Sequence, residues 1–218
     1  AEPYAQLTAQ VLRRLQARYT IELRPHLISA PPDWATPDRA ALASYSQRDA
    51  ARLATKAGLA FPETPAQPSS DRLDKARAIV AAALTRPDFP ETLGKVGTAL
   101  WQSETFPDTP EVNPQPAMAD ADARLARLGH YLGATFHYGG EWYWGVDRLH
   151  YLETRLRALD AARPGAPRTP IFAPPGPCTP AAPKPGSVIE AFVSFRSPYS
   201  YLAFDRARDL ARAHGAEF

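Results

Sequence analysis

The sequence predicts an α/β chain that is helical in most of its residues. Three observations carry that prediction. Apolar residues recur at three- and four-residue intervals through most of the first 160 positions, the spacing of one helix face. Two short aromatic runs flank Gly139-Gly140, a β-hairpin signature. The last 22 residues repeat the pattern of residues 2–23, and the second copy is preceded by a strand-like run.

Residues 4–19 read as a helix, with Leu7, Val11, Leu12, Leu15 and Tyr19 on one face. Ile21, Leu23, His26 and Ile28 follow in a short segment read as a strand, stopped by Ala30-Pro31-Pro32. Thr36 or Asp38 caps a helix that starts near Pro37, carries Leu42, Tyr45, Asp49 and Leu53 at helical spacing, and ends at Gly58. Ser69 or Ser70 caps the next, with Leu73, Ala76, Val80 and Leu84. A third helix carries Leu93, Val96, Leu100 and Trp101, and a fourth runs from about Asp120 to Leu132.

The runs Thr135–Tyr138 and Glu141–Trp144 then form the hairpin. Tyr143 faces opposite to Trp142 and Trp144 by strand alternation, so one face is core and the other is free to line a cleft. Asp147 caps a helix with Leu149, Leu152, Leu156 and Leu159 inward. Residues 161–187 hold nine of the 24 prolines and read as an extended linker. Residues 188–195 read as a strand and 199–214 as a helix.

Composition excludes several classes. A net charge of +2, from 25 basic and 23 acidic residues, gives no electrostatic basis for nucleic acid or an anionic membrane as partner. No run approaches 18 apolar residues, so no transmembrane helix is expected. The opening AEPYAQLTAQVLRRL has no basic region followed by an apolar one, so no signal peptide is read there. The single cysteine, Cys178, excludes an internal disulfide, a CxxC pair and a multi-thiolate metal site, and fits a cytoplasmic location. His130, His137 and His150 have no metal-ligand spacing, and no metal is expected.

Aligned at an offset of 195, Pro3, Tyr4, Leu7, Arg13, Leu15 and Glu22 match Pro198, Tyr199, Leu202, Arg208, Leu210 and Glu217. The second copy has a strand before its helix, and the first does not. The expectation is a fragment of a tandem protein: repeat one over 1–160, a linker over 161–187, and the opening strand and helix of repeat two over 188–218. Repeat one then lacks its first strand. Residues 188–195 are expected to fill the vacant place, parallel to 20–28, because about 27 linker residues at roughly 3.1 Å each span a small domain.

The run VSFRSPYSYLAFDRA, residues 193–207, resembles the opening of the 2-hydroxychromene-2-carboxylate isomerases and kappa-class glutathione transferases. These belong to the DsbA-like branch of the thioredoxin fold. GATFHYGGEWYWGVDRLHYLE, residues 133–153, resembles that branch's later strand-turn-strand and Gly-x-Asp-Arg pattern. The resemblance implies a thioredoxin-like fold with a helical subdomain inserted at about 33–132, and it covers nearly the whole chain outside the linker.

The resemblance also implies residue roles. Ser197 stands where the family's serine hydrogen-bonds the glutathione sulfur and lowers its pKa; a helix N-cap is the other role open to it. Tyr199 flanks that position. Asp147 and Arg148 match the family's pair near the γ-glutamyl end, against plain roles as a cap and a surface cation. Repeat one departs from the pattern twice. Glu2 replaces the serine and would repel a thiolate. Ala134 replaces a proline that is cis in the family, and a cis bond before Ala costs about 2.5–4 kcal/mol.

Two functions follow as expectations. One is a glutathione-dependent isomerase or transferase, with thiol chemistry in repeat two, a degenerate repeat one, an aromatic-derived substrate and a small-molecule thiol as partner. The other is a non-catalytic thioredoxin-like domain for binding or for forming a homodimer. A disulfide oxidoreductase is not expected without CxxC.

Overall fold

A computed structural model describes residues 2–174, 176 and 186–218. The centre of the expected linker, Cys178 included, lies outside the described residues. The described chain holds seven α-helices and one two-stranded antiparallel sheet. It divides into two units, Ala1–Pro174 and Pro175–Phe218.

In the first unit, α1 (Pro3–Arg18) begins where Glu2, in extended conformation, accepts a hydrogen bond from the Ala5 N–H at 3.1 Å. Pro3 sits in the first turn, where no amide donor is needed. The helix buries Leu7, Val11, Leu12 and Leu15, the face read from its spacing. α2 (Arg39–Ala57) is capped by Asp38 through the Ala41 N–H at 2.8 Å and closed by Gly58 at φ 62°. Its buried residues are Ser46, Ala50 and Ala54, while Leu42 and Tyr45 are exposed and line the cleft described below.

α3 (Ser70–Ala83) is capped by Ser69, and α4 (Phe89–Gln102) starts with Pro90 in its first turn. α5 (Gln115–Arg127) runs about five residues earlier than expected. Pro116 fits a first turn, and Gly129 at φ 78° follows the helix end. The hairpin is as read: β1 (Thr135–Tyr138) pairs with β2 (Glu141–Trp144), Phe136 opposite Tyr143. Gly139 and Gly140, at φ 58° and 84°, supply the two left-handed turn residues that other side chains resist. Tyr143 is buried and Trp142 and Trp144 are half-buried, so the core face of β2 is that of Tyr143.

α6 (Leu149–Ala158) buries Leu149, Leu152 and Leu156, whereas Leu159 lies beyond its end and is exposed. Asp147 does not cap it. The cap residue is Arg148, without a side-chain bond, and the Asp147 carboxylate turns to Arg148 instead.

Two apolar clusters share α1. One joins it to the hairpin, α6, the Ala50 and Ala54 face of α2, and Ile171 and Phe172. The other joins Leu12 to α3 and α4. Residues 161–174 pack on this unit: Tyr19 bridges Ala162, Thr20 N–H donates to Ala161 at 2.8 Å, and Arg163 N–H donates to Arg18 at 2.9 Å.

Residues 21–28 alternate between exposed and half-buried along an extended course, but they are not a strand. They make no backbone–backbone hydrogen bond among the described residues. Extended sequence becomes a strand only against a ladder partner. The expected strand 188–195 is likewise absent, apart from a parallel bridge between Val188 and Glu217.

In the second unit, α7 (Pro198–Ala213) has the same 16-residue length as α1. The offset of 195 maps one helix onto the other end to end. Their caps agree as well: Glu2 at φ −103°, ψ 112° and Ser197 at φ −99°, ψ 114°, each accepting from the amide three residues on. The repeat read from six identities is thus a repeat of local structure.

Candidate functional site

The first unit contains a cleft of about 1120 Å³. Its walls are the start of α1, the extended run 21–31, β1, and faces of α2 to α5. Most of the lining is apolar, with Leu12, Leu23, Leu27, Val80 and Phe136 among it. These residues are far apart in sequence and meet because α1 and β1 back the space while the four helices between them wrap its other side.

Glu2 stands at the rim of this cleft. Its carboxyl packs against Gly133: a Cβ there would lie 3.4 Å from Glu2 Oε2 and 3.6 Å from Ile28 Cδ1. Burial, only partly offset by the Ala5 N–H, pushes the Glu2 carboxyl up to about 7. Beside it, Ala134 holds φ 54°, a conformation closed to proline, whose ring fixes φ near −65°. No cis peptide bond occurs among the described residues. Glu2 and Ala134 thus both line the cleft.

Sequence reasoning missed Gln6 and Thr8, two buried polar residues of α1 that also line the cleft. Gln6 Nε2 donates to Thr98 Oγ1 at 3.0 Å, while Gln6 Oε1 and Thr8 Oγ1 have no partner among the described residues. Helical periodicity marks only apolar faces, so nothing in the sequence distinguished these two. It missed as well a row of rings beside the hairpin, where His130 stacks on Trp142 at 4.5 Å and Trp142 meets His137 at 4.7 Å.

The four residues singled out in sequence fall in two places. Asp147 and Arg148 pair with each other at 3.3 Å, and Arg148 lies over the Trp144 ring at 5.5 Å. Neither lines the cleft. Ser197 and Tyr199 belong to the second unit. Ser197 Oγ accepts from the Ser200 N–H at 3.4 Å, and Ser200 Oγ accepts from the Ser194 N–H at 3.1 Å. Tyr199 is exposed. Three serines thus order the start of α7, of which the sequence reading named one.

Among the described residues, no three His, Cys, Asp or Glu side chains gather where a metal could sit, and no helix is long and apolar enough to cross a membrane. Compared with known proteins, the chain matches no family model, no curated relative and no solved structure.

Proposed function

We propose that residues 2–160 are a thioredoxin-like domain that binds without catalysing, the degenerate first repeat of a two-repeat protein. The position of Glu2 carries this reading. A thiol site of this kind needs a hydrogen-bond donor at the start of α1, where the helix dipole favours an anion. Here a carboxyl fills that place and already takes the Ala5 N–H. Above about pH 7, where it is ionised, it opposes the thiolate in which such a thiol reacts. What remains is an apolar cleft with a few inward polar atoms, suited to an elongated apolar ligand.

A second reading concerns Ser197 and has its own observation. The Ser197 oxygen accepts from Ser200 N–H, which leaves its hydroxyl hydrogen free to donate at the positive end of α7. That arrangement supports a glutathione-dependent isomerase or transferase with its chemistry in repeat two. The thiolate would add to a conjugated double bond of an aromatic-derived substrate. Rotation about the resulting single bond and expulsion of the same thiolate would then give the isomer, with no net change in the thiol.

Calorimetry with glutathione tests both readings. On the full chain, any binding heat is expected to vanish in Ser197→Ala and to survive Glu2→Ala. Binding retained in Ser197→Ala and lost in Glu2→Ala would place a thiol site in the first repeat and overturn the non-catalytic reading.

A further inference from the structure

The polar side chains on the cleft wall are unevenly matched in charge. Four arginines line it, Arg24, Arg39, Arg77 and Arg124. Three have an acid of their own: Glu22 meets Arg24 at 2.8 Å, Asp33 meets Arg39 at 2.6 Å, and Asp74 meets Arg77 at 2.9 Å. The Arg124 guanidinium has no hydrogen bond or ion pair among the described residues. Asp120, one turn earlier on α5, neither pairs with it nor lines the cleft.

A second basic group stands near it. His26 lines the cleft from the extended run, and Arg124 lines it from α5. Partial burial, and then the Arg124 charge, hold the His26 imidazole below its ordinary pKa. The carboxyls around them are engaged. Glu22 is held by Arg24, and Asp122 accepts from the Ser29 N–H at 2.9 Å. Glu2 accepts from the Ala5 N–H and, pushed up to about 7, is half protonated at neutral pH. Two basic groups without a counter-ion between them draw an anion. Behind them the wall is apolar. Along the run, exposed Glu22, Arg24 and His26 alternate with half-buried Leu23 and Leu27, and the two leucines pack on the cluster of Leu12, Val80 and Leu100.

We propose that the cleft binds a long-chain monocarboxylate, its carboxylate at the rim between Arg124 and His26 and its alkyl tail over Leu23 and Leu27. The head matches in charge and in shape: a guanidinium presents a planar fork of N–H donors that fits the two oxygens of a carboxylate. An ammonium head would meet two basic groups instead. The tail matches in size and polarity, because about 1120 Å³ of mostly apolar space is at the upper end of what small-molecule sites enclose. Arg124 is exposed, so the head stays in contact with water while only the tail is buried, and no charge is carried into the apolar interior. The inference rests on the reading of residues 2–160 as a binding domain and names the ligand class of its cleft.

The test is titration of the full chain with decanoate, decanol and decylamine below their aggregation limits, read by the fluorescence of Trp142 and Trp144, which line the cleft. Decanoate is expected to bind most tightly, and about fourfold more tightly for each methylene added from octanoate onward. Arg124→Gln should weaken decanoate about fivefold, the worth of an exposed ion pair, with decanol and helical circular dichroism unchanged. Arg127→Gln, on the same turn of α5 but outside the cleft, should leave all three ligands alone. Proton resonances of His26, identified by their absence in His26→Gln, should titrate at higher pH when decanoate is bound. Decanol or decylamine binding as tightly as decanoate overturns the proposal, as does an Arg127→Gln loss equal to that of Arg124→Gln, an unmoved His26 titration, or no binding of any of the three. Glutathione calorimetry on Glu2→Ala and Ser197→Ala reports on the non-catalytic reading alone, so the two can fail separately.

Discussion

Glu153 holds residues 169–172 onto the first unit, and removing its carboxylate gives a quantitative test of that arrangement. The side chain projects from α6 and is 2% exposed. Its Oε1 accepts from the Tyr19 hydroxyl at 3.1 Å and from Arg18 Nη1 at 3.4 Å. Its Oε2 accepts from the Ile171 N–H at 2.7 Å. Glu153→Leu keeps much of the volume but orphans two buried donors, the Tyr19 hydroxyl and the Ile171 amide, at about 1–3 kcal/mol each. Arg18, whose side chain is 13% exposed, keeps only its bond to the Thr169 carbonyl at 2.7 Å. The sum is a loss of about 3–5 kcal/mol, the range for breaking a buried ion pair from one side.

Glu153→Gln retains an acceptor and should cost about half as much. Arg18→Leu combined with Glu153→Leu should cost less than the two single losses added, by roughly 1 kcal/mol or more. The assay is urea unfolding followed by tryptophan fluorescence, which also reports the surface exposed through the denaturant slope. A Glu153→Leu variant within about 1 kcal/mol of the parent, at unchanged slope, would show that 169–172 is not held as described.

Two further substitutions probe the cleft. Because Glu2 is pushed from 4.5 to about 7, the folded chain keeps a proton that the unfolded chain releases. Its contribution to stability is full below about pH 4.5 and falls as pH rises to about 7, by about 3 kcal/mol in total; Glu2→Gln should flatten the profile in that window. A Cβ added by Gly97→Ala would lie 1.7 Å from Gln6 Oε1, so Gln6 must turn away and give up its bond to Thr98; that loss and the helix propensity gained on replacing glycine, about 1 kcal/mol each, nearly cancel, and thermal melts should show a change of under about 1 kcal/mol.

Local signals in the sequence translated well. Asp38, Ser69 and Gly58 bound their helices because capping is a matter of a few neighbouring atoms. Gly139-Gly140 fixed the hairpin for the same reason. The matched caps of α1 and α7 were legible as aligned prolines and tyrosines. What failed depended on partners distant in sequence. The alternation in 21–28 reports an extended chain and says nothing of whether a second backbone lies beside it. Spacing placed Leu42 and Tyr45 on a helix and did not say that they would line a cleft while Ala50 and Ala54 enter the core. The cleft is assembled from segments spread over most of the first unit, and Gln6 and Thr8 interrupt an apolar face without any pattern of their own. Asp147 had two choices, the free amides of α6 or the adjacent guanidinium, and composition does not rank them.

The tie between Tyr19 and Ala162 has a consequence for how this unit tolerates change. The chain leaves α1 and returns beside it after α6, with the two crossings hydrogen-bonded together. Everything from Ile21 to Asp160 is therefore an excursion whose two feet are fastened at one point. Lengthening such a closed loop is cheap, about 0.6 kcal/mol for each doubling of its length. The connections between helices of that excursion can therefore lengthen without shifting where residues 163–174 depart, whereas α2, α3 and α4 themselves stay, because they carry the core clusters that hold α1.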